Sequence, residues 1–186
     1  MDKKNLYISI LLIAVFSSIS ILSLFEAKKI TIIHTNAIDA PDFFMTNATY
    51  IRYDQYGSIN NKFHTSKITH FITNNNYIFD NPSMNMYKEN EQPWIITASK
   101  GKSESGKSKI YLWDNVHVTQ AFSKNNSDFD ITTTSLTVYP SIKFAETRDP
   151  VIIIQGGSIA KAIGAKADFQ SGTVSLLSNV ECQYNE

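Results

Sequence analysis

The feature of this sequence that most restricts its fold is a short phrase that occurs four times. Each copy places a polar pair of residues ahead of a run that alternates side chains or is rich in β-branched residues. The copies begin at Phe79, Trp113, Arg148 and Leu177, and they read FDNPSMNM, WDNVHVTQ, RDPVIIIQ and LSNVECQY. Such a phrase indicates β-strands broken at similar intervals by polar turns.

The same alternation extends through most of the chain after Pro41, and no helical period of useful length occurs there. The segments Ala48–Tyr53 and Ser58–Phe71 predict a hairpin with its turn at Asp54–Gly57. Further strands follow on either side of each polar pair, with a Gly/Ser/Lys-rich connection predicted at Lys100–Ser108. The sequence therefore predicts an all-β domain of about a dozen short strands.

The recurrence itself admits two interpretations. Any β-meander has turns at regular intervals, so the repeat can be a by-product of short strands. Alternatively, the units cannot bury their apolar faces singly, and they stack or roll into one sheet in which each unit rounds the same corner.

The N-terminal segment points to a membrane. The run Leu6–Phe25 carries no charged residue, and as a helix it would span about 30 Å, the thickness of a bilayer's hydrocarbon core. A cleavable signal peptide is the alternative, but the exit LFEAKK offers no good cleavage site, and no cysteine follows that could carry a lipid. The predicted layout is a short cytoplasmic tail at 1–5, a transmembrane helix at 6–25, a linker at 26–41 and the β-domain at 42–186.

Charge and motifs argue against several classes of function. The chain has 17 basic and 17 acidic residues, so it lacks the basic field of a general nucleic-acid binder. It contains no G-x-S-x-G, P-loop or H-E-x-x-H pattern, its four histidines are scattered, and Cys182 is the single cysteine. The sequence therefore predicts a protein that is not an enzyme and needs neither a cofactor nor a metal.

What the sequence does offer is apolar surface on sheet faces. Alternation places these residues there: Ile110, Leu112, Val116, Val118, Leu136, Val138, Ile152, Ile154, Val174 and Leu176. Phe79, Trp113 and Tyr184 flank them. Either these side chains fill an ordinary core, or they line an open β-roll that holds acyl chains, since rolled sheets can enclose apolar ligands.

The order of motifs resembles a known family. An apolar anchor, a polar linker and then PDFFMTNATYIRYDQYG, FDNPSMNMY, PWIITASKGK, LWDNVHVT, ITTTSLTVYP, AETRDPVIIIQGG and GAKADFQSGTVSLLSNV follow one another as in the LptC family of lipopolysaccharide export proteins of Gram-negative bacteria. The resemblance covers nearly the whole chain. It implies a single-pass inner-membrane protein with a periplasmic β-jellyroll, an open roll of two sheets, at its C-terminal side.

The resemblance also implies roles for particular residues. The family's turn glycine falls on Gly57, and the glycine after the DPV strand falls on Gly156. The positions expected at or near the lipid groove are Ala48, Phe79, Trp113, Val174 and Tyr184. The edge strand expected to meet a partner contains Val174, Leu176, Ser178 and Val180.

The family's function implies three partners. These are lipopolysaccharide, the permease subunits of an inner-membrane ABC transporter, reached through the N-terminal helix, and a soluble periplasmic β-jellyroll bridge protein at the C-terminal edge. The protein would accept lipopolysaccharide from the transporter and pass it to the bridge for delivery to the outer membrane. The alternative is an anchored extracytoplasmic β-scaffold or assembly module with no lipid ligand.

Overall fold

The computed structural model describes residues 40–104, 108–122 and 128–184, which belong to one compact unit, Asp39–Glu186. This part of the chain is all-β, and none of its elements is a helix long and apolar enough to cross a membrane. The predicted transmembrane helix and most of the linker lie outside the described residues. The strands are β1 Phe43–Tyr53, β2 Ile59–Phe71, β3 Asn76–Asp80, β4 Ser83–Met86, β5 Trp94–Thr97, β6 Lys100–Glu104, β7 Ile110–Gln120, β8 Phe129–Tyr139, β9 Phe144–Gln155, β10 Ser158–Asp168 and β11 Thr173–Gln183.

All eleven strands belong to one antiparallel sheet. From β7 to β11 each strand pairs with its neighbour in sequence. On the other side, β7 pairs with both β5 and β6, and β2 pairs with both β4 and β3, so that two pairs of short strands lie between two long ones. In the described part of the chain, β1 pairs only with β2 and β11 only with β10, which leaves two free edges.

The polar pairs of the repeated phrase lie on one line across this sheet. The sequence predicted a turn at each pair, but the chain reverses at none of them. Even at Asn81, where β3 ends and β4 follows, both strands pair antiparallel with β2 and run in the same direction. Strand β7 continues without a break through Asp114 and Asn115, which adopt φ values of 60° and 54°. Its register with β8 shifts there. Residues at positive φ in a strand create a bulge that bends the strand without reversing it. The line is therefore a corner at which the sheet folds, as the rolled-sheet interpretation predicted.

Backbone and side-chain hydrogen bonds join neighbouring strands at the corner, where the bulges interrupt the regular ladder. The backbone N–H of Asn81 donates to the carbonyl of Ser99, whose own N–H donates to the carbonyl of Asp114, both at 2.8 Å. Hydroxyls of Thr134 and Ser135 donate to the Asp149 carboxylate at 2.7 and 2.6 Å. These bonds, the one from Ser135 foremost, hold the pKa of Asp149 below its ordinary value. The polar pairs recur because each strand must satisfy its backbone at the same corner.

The core lies on the concave side of the corner. Its most buried members come from β4, β5, β7, β8 and β9 and from the residue that follows β10. They are Met84, Met86, Trp94, Ile96, Leu112, Val116, Val118, Leu136, Val138, Ala145 and Phe169. On β9 the prediction was wrong, because Ile152 and Ile154 face outward at 43% exposure while Val151 and Ile153 are buried. A continuous run of β-branched residues carries no alternation that could have settled which face turns inward.

Candidate functional site

The concave face of the roll remains exposed at its two edge strands. On β1, Phe43 pairs with His70, Met45 with Ile68 and Tyr50 with Phe63, and residues paired across antiparallel strands share a face. All three β1 side chains are exposed, because the strand has a neighbour on only one side. Alternation in FFMTNATYIRY does not predict this row, because Phe43 and Met45 lie at odd positions and Tyr50 at an even one, with Asn47 at a φ of 51° between them.

Strand β11 carries the matching row at the other edge. Val174 pairs with Ala167 and Leu176 with Ala165, and both partners are buried core residues. The side chains of Val174 and Leu176 are half-buried. In the described part of the chain β1 and β11 do not pair with each other, so the roll is open between its edges.

The centre of the roll is packed rather than hollow. The cavity between Leu136, Val151, Ala167 and Val174 has a volume of about 20 Å³. This is room for about one water molecule and not for an acyl chain. In this conformation an apolar ligand can contact the protein at the edge strands. The centre would admit an acyl chain only if the two halves of the roll moved apart.

Three of the five predicted groove residues share the concave face. Phe79 lies in a register row with Ile68, Gly101 and Leu112 and is buried against Phe63, with ring centroids 4.9 Å apart. Val174 belongs to the same face at the β11 edge, and Ala48, paired with buried Thr65, belongs to it on β1. The fold thus brings residues from distant parts of the sequence onto one surface.

Trp113 and Tyr184 are placed differently. Trp113 follows Leu112 in β7 and pairs with Lys100 and Ser135, so it lies on the convex face, stacked on Tyr111 with ring centroids 5.5 Å apart. Tyr184 follows the last residue of β11 and is 79% exposed. Neither residue contributes to the buried concave surface.

The two predicted glycines sit in hairpin turns. Gly57 has a φ of 82° in the β1–β2 turn, and Gly156 and Gly157 have φ values of 54° and 84° between paired Gln155 and Ser158. A two-residue turn with both φ values positive is the type I′ hairpin, which glycine adopts without steric cost. The predicted partner-edge residues, Val174, Leu176, Ser178 and Val180, all lie in β11.

A histidine at the β1 end of the concave face has both ring nitrogens engaged. His70 Nδ1 lies 2.7 Å from Asp42 Oδ1, and Nε2 lies 2.9 Å from Asn75 Oδ1. The imidazole ring stacks on Phe43, with ring centroids 4.9 Å apart, and lies tilted against Tyr77 at 4.5 Å. Because both neighbours accept hydrogen bonds, they favour the imidazolium, and the pKa of His70 is raised above 6.5, by Asn75 first and then by Asp42, against the opposing effect of burial.

The raised pKa of His70 predicts a pH-dependent stability. Its contribution is fully present below pH 6.5, the ordinary pKa, and is lost as the pH rises through the raised folded value. We expect the melting temperature of the wild type to fall over that range more steeply than that of the His70→Gln variant. His64→Gln, which alters an exposed histidine of the same strand, is the control. Parallel pH profiles for the wild type and His70→Gln would contradict the assignment.

The described residues contain no group of three or more histidine, cysteine or acidic side chains that could hold a metal ion. Cys182 is exposed on β11, opposite Ala160.

Comparison with known proteins gives one family. A family model described as "Lipopolysaccharide-assembly, LptC-related" matches residues 6–185. No curated protein matches the chain. Among solved structures, the chain is similar to LptH of Pseudomonas aeruginosa, described as the LptA-homologous periplasmic component of the lipopolysaccharide transport device. That match has 6% identity and a TM-score of 0.48, and it covers 77% of this chain and 94% of LptH.

Proposed function

Because the chain belongs to the LptC-related family of lipopolysaccharide-assembly proteins, we propose that its β-domain carries lipopolysaccharide on the concave face of the roll. Family membership gives the role in lipopolysaccharide transport. The finer proposal is that acyl chains lie against this face, with Phe79, Val174 and Ala48 among the residues that contact them. Trp113, on the convex face, is left out of the proposed lining.

The observation that carries this proposal is the exposure of apolar side chains on both edge strands. Phe43, Met45 and Tyr50 on β1 belong to the same concave face as Val174 and Leu176 on β11. Apolar surface of this kind is unfavourable in water and marks sites at which an apolar ligand or a partner is bound. Acyl chains laid along the face would remove these rows from water.

A scaffold without a lipid ligand remains the second candidate, and the packed centre favours it. A cavity of about 20 Å³ is what an ordinary core contains. The two candidates differ in whether lipid reaches the concave face in cells, so a contact experiment separates them.

We expect a photo-crosslinking residue at Val174 to capture lipopolysaccharide in cells, because this side chain is half-buried on the concave face. The matched control is Ser175, the next residue of the strand, which pairs with Lys166 on the convex face. Crosslinked lipopolysaccharide would be detected by immunoblotting after purification. Equal capture at Val174 and Ser175 would favour the scaffold.

For the partners, we propose that the N-terminal run associates with the permease subunits of an ABC transporter and that β11 meets a soluble β-jellyroll bridge protein. A free strand edge exposes a row of N–H and C=O groups that a strand of another protein can complete. In the described part of the chain β11 has such an edge along all 11 of its residues.

We further propose that Leu6–Phe25 stays attached and holds the domain at the inner membrane, with the domain in the periplasm. Replacing Ile13 in this charge-free run by Arg should disfavour insertion by about 2.5–3.5 kcal/mol. Carbonate extraction of membranes should then release the variant but not the wild type, and Ile13→Leu should behave as the wild type. A mature protein that begins after residue 25 on N-terminal sequencing would contradict the anchor.

A further inference from the structure

Two hydrogen-bond donors on the concave face have no acceptor. They are Asn61 Nδ2 on β2 and Trp94 Nε1 on β5, and neither atom has a partner among the described residues. Asn61 is 5% exposed and Trp94 is 2% exposed, so bulk water does not reach them. Most buried polar atoms in proteins are paired, and an unpaired one calls for a specific explanation.

Both donors lie in one register row. Asn61 pairs with Met86, Met86 with Trp94, and Trp94 with Gln120, so all four side chains face the interior at the same end of the roll. Gln120, also buried, is satisfied, because its Nε2 donates to the carbonyl of Gln92 at 2.9 Å. The fold can therefore provide acceptors in this row and does not provide them for Asn61 and Trp94.

The Trp94 ring is held by aromatic contacts instead of a hydrogen bond. Its centroid lies 5.5 Å from that of Phe129 and 5.3 Å from that of Phe169. Rings packed in this way fix the direction of the indole N–H before any acceptor arrives. A donor whose orientation is set in advance loses little freedom when it binds a ligand.

The segment 87–93 between β4 and β5 adjoins this row. Side chains from elsewhere hold it in two places, since Lys143 Nζ donates to the carbonyl of Tyr87 at 2.7 Å and Gln120 donates to Gln92. Both are single hydrogen bonds to backbone carbonyls. Since both donors are buried, a ligand reaches them only when this end of the roll opens.

Along this register row a charged residue is followed by neutral donors and then by apolar side chains. An acylated lipid has the same order of groups: a charged headgroup, an acyl linkage and an acyl chain. Arg52, on the exposed edge strand β1, pairs with Asn61 and places a cation at the open end of the row. The two neutral donors come next, and the apolar core with Met84 and Ile96 lies beside them. Neutral donors suit a neutral acceptor, whereas a phosphate would select cationic groups.

From this arrangement we infer that Asn61 and Trp94 form a donor subsite in which each donates to an acyl carbonyl, ester or amide, of a lipid on the concave face. The inference rests on the proposed function and adds the group that the face recognises. An apolar face alone does not distinguish an acyl chain from an alkyl chain, but a hydrogen-bond donor does, because only the acyl chain has a carbonyl to accept the bond.

The test uses the full chain in amphipol and two sugar amphiphiles that differ only in the linkage, a dodecanoyl ester and a dodecyl ether. We expect the wild type to bind the ester about tenfold more tightly than the ether. The double variant Trp94→Phe and Asn61→Leu should lose this preference while its affinity for the ether stays unchanged. Binding can be followed through the ¹⁵N–¹H signals of the two tryptophan indoles, Trp94 and Trp113.

The indole signals give a second readout. The Trp94 N–H signal should move downfield with the ester and not with the ether, while Trp113, on the convex face, should move with neither. Equal affinity for the two amphiphiles, with both displaced by purified lipopolysaccharide, would overturn the subsite and leave the proposed function standing. A chain that binds neither amphiphile nor lipopolysaccharide would overturn both. A Trp94 signal unmoved by bound ester would mean that internal water is the partner, and would also overturn the subsite.

Folding controls separate recognition from structure. Neither donor has a protein acceptor to lose, so Asn61→Leu should not lower the melting temperature, whereas Trp94→Phe removes buried ring volume beside Phe129 and Phe169 and should lower it. Gln120→Leu removes a paired donor from the same row and should lower it. If Asn61→Leu lowered the melting temperature as much as Gln120→Leu, the Asn61 donor would be structural and the inference would fail.

Discussion

Proline at one of two neighbouring positions, Leu176 or Leu177, is expected to weaken binding of the proposed bridge protein while the domain stays folded. Adjacent residues of an antiparallel strand direct their N–H groups to opposite sides. One of the two N–H groups therefore faces β10 and the other faces the free edge. Proline at the edge-facing position removes a donor that only the partner uses.

The expected loss is about 2 kcal/mol or more, roughly thirtyfold in affinity, because a carbonyl of the partner's strand is left unpaired in the interface. Proline at the other position breaks the β10–β11 ladder and should lower the melting temperature of the domain, so the two variants control for each other. Affinity purification with the tagged domain measures the binding. If both variants recovered as much bridge protein as the wild type does, the bridge protein would bind at a surface other than the free edge of β11.

Replacing Gly164 by Val is expected to destabilise the domain by about 3 kcal/mol. Gly164 lies at the corner of β10 with a φ of 77°, a conformation that costs a β-branched residue about 1–3 kcal/mol. An added Cβ would also lie 2.9 Å from Leu177 Cδ1 and 3.3 Å from the backbone oxygen of Thr147. Overpacking of this kind costs about 1–3 kcal/mol more.

Gly172 provides the matched control for this substitution. Its φ is 74°, nearly that of Gly164, but an added Cβ would meet no atom within 4 Å. Gly172→Val therefore incurs the conformational cost alone, and the difference between the two variants in urea unfolding reports the close approach at the corner. Equal losses would mean that the corner has room for a side chain.

Much of the fold was readable from the sequence because alternation and turn chemistry act locally. The β1–β2 hairpin, with its turn at 54–57, follows from alternating residues on both sides of a Gly-containing turn. The existence of a corner followed from the repeated polar pairs. Their backbone did not, since Asp114 and Asn115 look the same in sequence whether they reverse a strand or bulge within it.

Other details depended on tertiary contacts that a single sequence does not contain. Strand β6 was predicted as part of a loop, because Lys100–Glu104 has the composition of a connection, and pairing with β3 and β7 makes it a strand. The family resemblance placed Trp113 at the groove, yet its position directly after inward-facing Leu112 puts it on the convex face. The unpaired donors at Asn61 and Trp94 could not be foreseen, because a missing partner has no sequence signature.

The two free edges also determine the symmetry of any assembly built on them. Strands β1 and β11 are different surfaces, so an interface that joins one to the other is heterologous. Repeating such a contact adds units in a single direction and, unless the rotation happens to close a ring, produces an open row with distinguishable ends. Each added unit consumes one edge and supplies another. Such a row has a built-in polarity, and its length is set by whichever component covers an edge without offering a new one.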